Sequence, residues 1–293
     1  MKSPLEQVRH TLAVNLRDRV AGADAVELGR QIWTDPGPRW FEPGSAIHLL
    51  HQDASMYVGG IRSLLLQSLH PSAMAGVAGH SGYRADPWGR LQRTSFFIAM
   101  TTYGPEDQAE AVIAKVRGIH DRVRGKTFDG KPYAANDPHL LRWVHVAEID
   151  SFLRSYRRYG SGPVDQEFCD EYVRQTGLVA GKLGVVDPPV SAAQLSAELT
   201  AFRPELGGTP LARDAARFLL LNPPLPIAVR PGYGMLAAAA VASLPRWARR
   251  ELRLPRLPVL DRVVGETLGR IATTTIRWAM PAARPGQAAR ESA

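Results

Sequence analysis

The apolar residues of this chain recur every three or four positions along most of its length. In the segment 54–69, for example, Val58, Ile61 and Leu65 fall on one side of a helix. This spacing is typical of amphipathic α-helices, and the alternating β-branched runs that indicate strands are scarce. The pattern predicts an all-α fold.

Capping residues, prolines and glycines mark the ends of the predicted helices. Pro71 is expected to end the helix at 54–69, because the residue before a proline avoids the α region. Gly125 is expected to end the helix at 105–124, and Ser191 with Gln194 to form a capping box. Further helices are predicted at 86–102, 139–159, 163–183, from 191 onwards, and at 210–221, 234–244, 245–253 and 259–278. We predict one domain over residues 1–280 and a disordered tail at 281–293.

The composition is that of an ordinary globular protein, with 45% apolar and 22% charged residues. The net charge is +8, but the basic residues are scattered and no nucleic-acid motif accompanies them, so no nucleic-acid partner is predicted. The first residues lack the apolar run of a secretory signal, and no segment has 18 uninterrupted apolar residues. A cytoplasmic location is expected. The apolar segment 234–244, followed by three arginines, could rest on an anionic membrane, but a core helix with a solvated end is preferred.

Cys169 is the single cysteine, which excludes an intrachain disulfide and any zinc site built from several cysteines. Its neighbours Glu167, Asp170 and Glu171 disfavour a thiolate ligand, since negative charge raises a thiol pKa. We expect a small buried side chain at this position.

One histidine, His120, lies in the apolar stripe of its predicted helix. It is either a buried imidazole that bonds to the protein or a metal or haem ligand, because a neutral imidazole binds iron well. On a separate helix, Arg90 precedes Arg93 by three residues and Thr94 by four, which places them within about one turn. They form either a solvated basic face or a polar group beside bound oxygen, where a guanidinium stabilises developing negative charge.

Two further pairs have i, i+3 spacing: His48 with His51, and His145 with Glu148. Each could be a metal pair or a local hydrogen bond, and neither has the HExxH form of a zinc protease. The sequence also lacks the G-x-S-x-G, P-loop and G-x-G-x-x-G motifs, so hydrolase, NTPase and dinucleotide-binding functions have no support.

In their order and spacing, several segments resemble a bacterial family first catalogued as DUF2236, which groups the rubber oxygenases with the MpaB-type oxygenases. The resemblance is good over residues 53–226 and weaker beyond. The residues that carry it are Gly60-Ile61-Arg62, His70-Pro71, Gly76-Val77, His80-Ser81, Asp86-Pro87, Arg90, Thr94, Val116-Arg117, His120, Val123-Arg124-Gly125, Tyr133-Ala134, Asp137-Pro138, Trp143-Val144-His145 and Asp150-Ser151.

The resemblance implies an all-α fold that encloses one haem b, with His120 as the iron ligand. It places Arg90, Arg93 and Thr94 on the distal side, with arginine at 93 where the rubber oxygenases have lysine, and it brings His145 towards the pocket. The distal glutamate of the rubber oxygenases has no match here, since Met74 occupies the corresponding position. The order of the motifs therefore supports haem more strongly than it supports rubber-type alkene cleavage.

The resulting hypothesis is a haem b-dependent oxygenase or peroxygenase that uses dioxygen or peroxide on a small to medium apolar substrate. The alternatives are a haem- or small-ligand-binding protein without turnover, such as a sensor or carrier, and a metal-dependent hydrolase that uses His48, His51 or His145. The sequence does not indicate the oligomeric state.

Overall fold

A computed structural model describes residues 3–22, 25–255 and 261–280 of the chain. The described residues form 14 α-helices and one small two-stranded sheet, so the predicted all-α class is confirmed. The predicted tail at 281–293 lies outside the described residues, and the single-domain division stays a prediction.

The helices follow one another closely and are joined by short connections. In chain order they are α1 (Pro4–Ala21), α2 (Ala25–Trp33), α3 (Ala46–His51), α4 (Ser55–Gln67), α5 (Pro71–His80), α6 (Pro87–Tyr103), α7 (Glu106–His120), α8 (Pro138–Tyr159), α9 (Gln166–Leu183), α10 (Ala192–Ala201), α11 (Pro210–Leu221), α12 (Arg230–Ser243), α13 (Arg246–Glu251) and α14 (Glu266–Ala279). Short 3₁₀ turns occur at Arg203–Glu205 and Ile227–Val229, and a π-helical turn, Asp261–Gly265, leads into α14.

The centre of the fold is the pair of helices α4 and α8, which has the most extensive helix–helix packing in the described structure. Gly59 makes this close crossing possible, because a Cβ at that position would lie 2.9 Å from the Phe152 ring. Trp143 is fully buried in the same core and donates its indole N–H to the Gln67 carbonyl at 3.2 Å. Helices α9, α10 and α12 complete the main hydrophobic cluster around the pair.

The predicted ends of the helices were correct at several capped positions. Asp86 caps α6 by accepting from the Gly89 N–H, and α11 has the predicted bounds. Ser191 caps α10 as expected, but the Gln194 side chain accepts from the Val190 N–H and leaves the predicted capping box incomplete. Cys169 is a free, buried thiol, as predicted.

One helix was missed and one predicted helix end was wrong; the predicted end of α4 before Pro71 is confirmed. Pro71 does not only end a helix: it occupies the first turn of α5, where its missing N–H costs nothing, so the segment after it is a second helix. Helix α7 ends at His120 rather than at Gly125, and a hairpin of β1 (Arg124–Lys126) and β2 (Pro132–Ala134) follows. Gly125 pairs with Tyr133 in that hairpin, where a Cβ would lie 2.6 Å from the Tyr133 hydroxyl. Close approach of an aromatic ring, rather than a helix cap, is the reason for this glycine.

The predicted apolar segment 234–244 belongs to α12, whose Leu236, Ala237, Ala239 and Ala240 are buried in the core. Among the described helices, none has the length and apolar character needed to cross a membrane.

Candidate functional site

Helices α6 and α7 form a hairpin that is buried only near its closed end. The buried residues of α6 are its last four, Met100–Tyr103, and those of α7 are Ala109 and Ile113 in its first half. In the described structure α6 packs on α1, α2 and α3, and α7 on α9, but neither packs extensively on α8. The open end, which carries Arg90 and His120, is therefore not packed extensively on the central helix pair.

Helix α8 has one face that neighbouring side chains cover only partly. Leu141, Val144 and Glu148 recur at i, i+3 and i+7 and keep partial accessibility, whereas Trp143, Val146 and Ala147 of the same helix are 0% exposed. Glu148 keeps part of its surface accessible, although burial is strong enough to raise its pKa. Helix α5 lies nearby, packed on the β-hairpin and α11, and only Met74 of its apolar residues is buried.

The three predicted residues of α6 do not share one environment. Arg90 is half-buried and donates to the Ser81 hydroxyl at 3.2 Å, and burial lowers its pKa. No ion-pair partner of Arg90 is seen in the described structure. Arg93 points to the surface and pairs with Asp86 at 3.1 Å, and Thr94 is exposed. Of the three, Arg90 is the one that turns an uncompensated positive charge towards the interior.

His120 ends α7 at the open end of the hairpin and is half-buried. Burial lowers its pKa, an effect that the adjacent Asp121 opposes. The imidazole is therefore neutral at pH 7. Its Nδ1 atom is buried and has no hydrogen-bond partner within the described residues. A neutral imidazole with an unused buried nitrogen meets the requirement for a metal or haem ligand.

His145 lies on α8 and is buried, and burial lowers its pKa to about 4. Its Nε2 atom also lacks a partner among the described side chains. One turn away, burial raises the pKa of Glu148 to about 7, so this carboxyl is partly protonated at neutral pH. No hydrogen bond between the two side chains is observed in the described structure. Groups of this kind, with pKa values displaced by burial, are common at active sites.

A buried network connects α3, α6 and α9 near the closed end of the hairpin. His51 Nδ1 lies 2.8 Å from the Thr102 hydroxyl, and its Nε2 lies 3.1 Å from the Tyr172 hydroxyl. Burial lowers the pKa of His51 to about 3, so one ring nitrogen donates and the other accepts. Burial, with the nearby charge of Glu148, raises the pKa of Tyr172 well above its usual value. Tyr172 is therefore close to both Glu148 and His51.

The sequence did not identify Thr102 or Tyr172 as members of a polar network. Tyr172 falls at a helical position of the buried α9 face, which predicts burial but not its partner. His51 and His48 were considered as a metal pair, yet both nitrogens of His51 are occupied by hydroxyls and His48 Nε2 lies 3.0 Å from the Thr102 carbonyl. No cluster of three or more metal-binding side chains occurs in the described part of the chain.

Comparison with known proteins places these features in a family. A family model described as "ER-bound oxygenase mpaB/B'/Rubber oxygenase, catalytic domain" matches residues 48–278. No curated protein and no solved structure matches the chain. The match includes α4 to α13 and nearly all of α14, and it confirms the resemblance drawn from the motifs. The chain belongs to the family of MpaB-type and rubber oxygenase catalytic domains.

Proposed function

We propose that this chain is a haem b-dependent oxygenase or peroxygenase that acts on a small to medium apolar substrate. Membership in an oxygenase family indicates an oxidoreductase. The proposal adds the identity of the cofactor, haem b, and the class of substrate. The observation that carries the proposal is the unused buried nitrogen of the neutral His120, at the open end of a hairpin that does not pack extensively on α8.

The residues at this place fit a large, mostly apolar cofactor. The open half of the α6–α7 hairpin, one face of α8 and helix α5 each carry apolar side chains that are only partly covered, among them Phe97, Val144 and Val77. Haem pockets in helical proteins lie between helices in this way, with one proximal histidine. His120 would hold the iron and His145 would line the pocket.

Bound haem would supply the oxygen chemistry, and the side chains set the conditions for it. The guanidinium of Arg90, which has no carboxylate partner among the described residues, would bind an anionic group of the cofactor or stabilise negative charge at the reacting oxygen. Arg93 and Thr94 remain predicted members of this distal group, in exposed positions. Glu148 can hold a proton at neutral pH and release it, because the pKa of its carboxyl lies near 7.

Absorption spectra of the purified protein, with and without added haem, test the proposal directly. We expect a Soret band that disappears in His120→Ala and persists in His10→Ala, a matched control on the exposed surface of α1. A protein that stays colourless after reconstitution, or a His120→Ala variant that keeps the same spectrum, would contradict the proposal.

Turnover distinguishes an oxygenase from a haem carrier or sensor. The exposure of Arg93 and Thr94 favours the carrier or sensor, because it leaves Arg90 as the one inward-facing member of the predicted distal group. Oxygen or peroxide consumption with apolar alkenes is expected for the wild type and should fall in Arg90→Gln. A haem-loaded protein that consumes neither oxidant with any substrate would support the alternative.

A further inference from the structure

A groove of about 380 Å³ lies where α8 and α10 meet the α12–α13 turn. Its described lining comes from α4, α8, α10, the 3₁₀ turn at Arg203–Glu205 and the α12–α13 turn, with no contribution from α6 or α7. The groove is therefore separate from the site proposed for haem.

Three arginines line the groove: Arg62, Arg154 and Arg203. Asp150 compensates part of this charge, since its two oxygens lie 2.8 Å from Arg62 Nη2 and 2.7 Å from Arg154 Nε. Three positive groups against one carboxylate leave two positive charges. This charge matches a phosphate monoester, which carries about −1.5 to −2 at pH 7.

The arginines are also held in place before any ligand binds. Arg62 is fully buried and donates to the Ser151 hydroxyl at 2.6 Å and to the Ser243 carbonyl at 3.3 Å. Arg203 stacks 3.9 Å above the Trp247 ring, and its Nη1 is buried with no partner in the described structure. A fixed guanidinium with an unused donor binds oxyanions at little cost in side-chain entropy.

The hydroxyl groups of Thr200 and Ser243 indicate which other groups the ligand of the groove carries. Thr200 donates its proton to the Ser196 carbonyl at 2.9 Å, and Ser243 donates to the Ala240 carbonyl at 2.8 Å. Each oxygen therefore keeps free lone pairs but no free proton, so it accepts hydrogen bonds rather than donating them. Acceptors of this kind pair with the hydroxyl groups of an organic ligand and not with a fully ionised phosphate.

We propose that this groove binds a small, soluble phosphate monoester that carries free hydroxyl groups, such as a polyol phosphate. The phosphate lies against Arg154 and Arg203 over the buried charge of Arg62. The hydroxyl groups of the ligand donate to Thr200 and Ser243. Ligand binding in the groove does not require haem, so it is tested independently of the oxygenase function.

Isothermal titration of the purified full chain with glycerol 3-phosphate, inorganic phosphate and glycerol tests the proposal. Glycerol 3-phosphate is expected to bind about tenfold more tightly than inorganic phosphate, because one or two added hydrogen bonds have this effect. Glycerol alone is expected not to bind. Equal affinity for the two phosphates would overturn the preference for a hydroxyl-bearing ligand.

Variants locate the binding site. Arg203→Gln and Arg154→Gln should each weaken glycerol 3-phosphate binding about tenfold or more, the effect of losing a charge-assisted hydrogen bond. Arg154→Lys, which keeps the charge near Asp150, should retain most of the affinity. Arg157→Gln is the matched control, since Arg157 is exposed on α8 and does not line the groove.

Two outcomes would overturn the site. The first is an equal loss of affinity in Arg157→Gln, which would indicate general charge attraction. The second is sedimentation with phosphatidic acid vesicles that glycerol 3-phosphate does not reduce, which would indicate a membrane surface instead of a soluble ligand.

Discussion

The two sides of helix α8 differ in whether their buried polar groups are paired. On the side of α4, the buried Arg62 and Asp150 form an ion pair at 2.8 Å, and Ser151 accepts a further hydrogen bond from Arg62. On the other side, called the open side because neither α6 nor α7 packs extensively on α8, His145 and Glu148 have no ion-pair partner among the described residues. Burial lowers the pKa of His145 and raises that of Glu148, which favours the neutral form of each. The first side pairs its buried charge within the protein, whereas the second leaves the His145 Nε2 atom without a hydrogen-bond partner among the described residues.

The largest effect is expected for Asp150→Ala, which breaks the buried Arg62–Asp150 ion pair on the side of α4. Removal of the carboxylate leaves the fully buried Arg62 without its counter-charge, and we expect a loss of about 3–5 kcal/mol in the free energy of unfolding. Urea denaturation followed by circular dichroism measures this loss. Arg157→Gln, an exposed change on the same helix, should stay within about 0.5 kcal/mol. An equally small loss of unfolding free energy in Asp150→Ala would contradict the proposed difference between the two sides of α8.

On the open side, Glu148→Gln should stabilise the protein above neutral pH. Burial raises the pKa of Glu148 from 4.5 to about 7, so the folded state binds the proton more strongly than the unfolded state does. Its stabilising effect is present below about pH 4.5 and is lost as the pH rises towards 7. The gain of the variant over the wild type should grow across this window to at most about 3 kcal/mol and then level off.

Denaturation curves at pH 4, 5.5, 7 and 8 measure this gain. Glu167→Gln, at an exposed position of α9, is the control and should show no such trend. A gain that is constant with pH would mean that the pKa of Glu148 is the same in the folded and the unfolded state.

A matched pair of valines measures packing on the two sides. Val146 is fully buried, and Val146→Ala should cost about 2 kcal/mol of unfolding free energy. Val144 is partly accessible on the open side, and Val144→Ala should cost less than about 1 kcal/mol. Thermal unfolding of the two variants side by side checks the difference. Equal losses would show that α8 is packed equally on both sides.

The smallest effect is expected for Arg93→Gln. Arg93 pairs with Asp86 at the surface, where such ion pairs contribute little. The variant should stay within about 0.5 kcal/mol of the wild type in urea denaturation. A loss above 1 kcal/mol would indicate that Arg93 has contacts beyond this surface pair.

The helices could be predicted from the sequence because their signals are local. Asp86, Asp137 and Thr209 cap helices through N–H groups two or three residues away, and each cap is followed by a proline in the first turn. The end of α7 was mispredicted because the constraint on Gly125 comes from Tyr133 across a hairpin.

The site was less accessible to such reasoning. His51 contacts Thr102 and Tyr172, which lie 51 and 121 residues away, and no periodicity indicates which buried groups meet. The order of motifs identified the family and proposed His120 and Arg90. It gave no means of separating the inward Arg90 from the outward Arg93, since the direction of each depends on how α6 rotates against α1 and α5.

The burial of the α6–α7 hairpin near its turn has a mechanical consequence. The 15 residues of α7 place His120 about 22 Å from the turn that joins the two helices. A rotation of α7 by about 5° at the turn would move its tip by about 2 Å, the length of a metal–nitrogen bond, unless the β-hairpin that follows His120 and packs on α5 holds the tip in place. The side chains that fix the turn, Met100, Tyr103, Ala109 and Ile113, thus control the position of His120 from a distance.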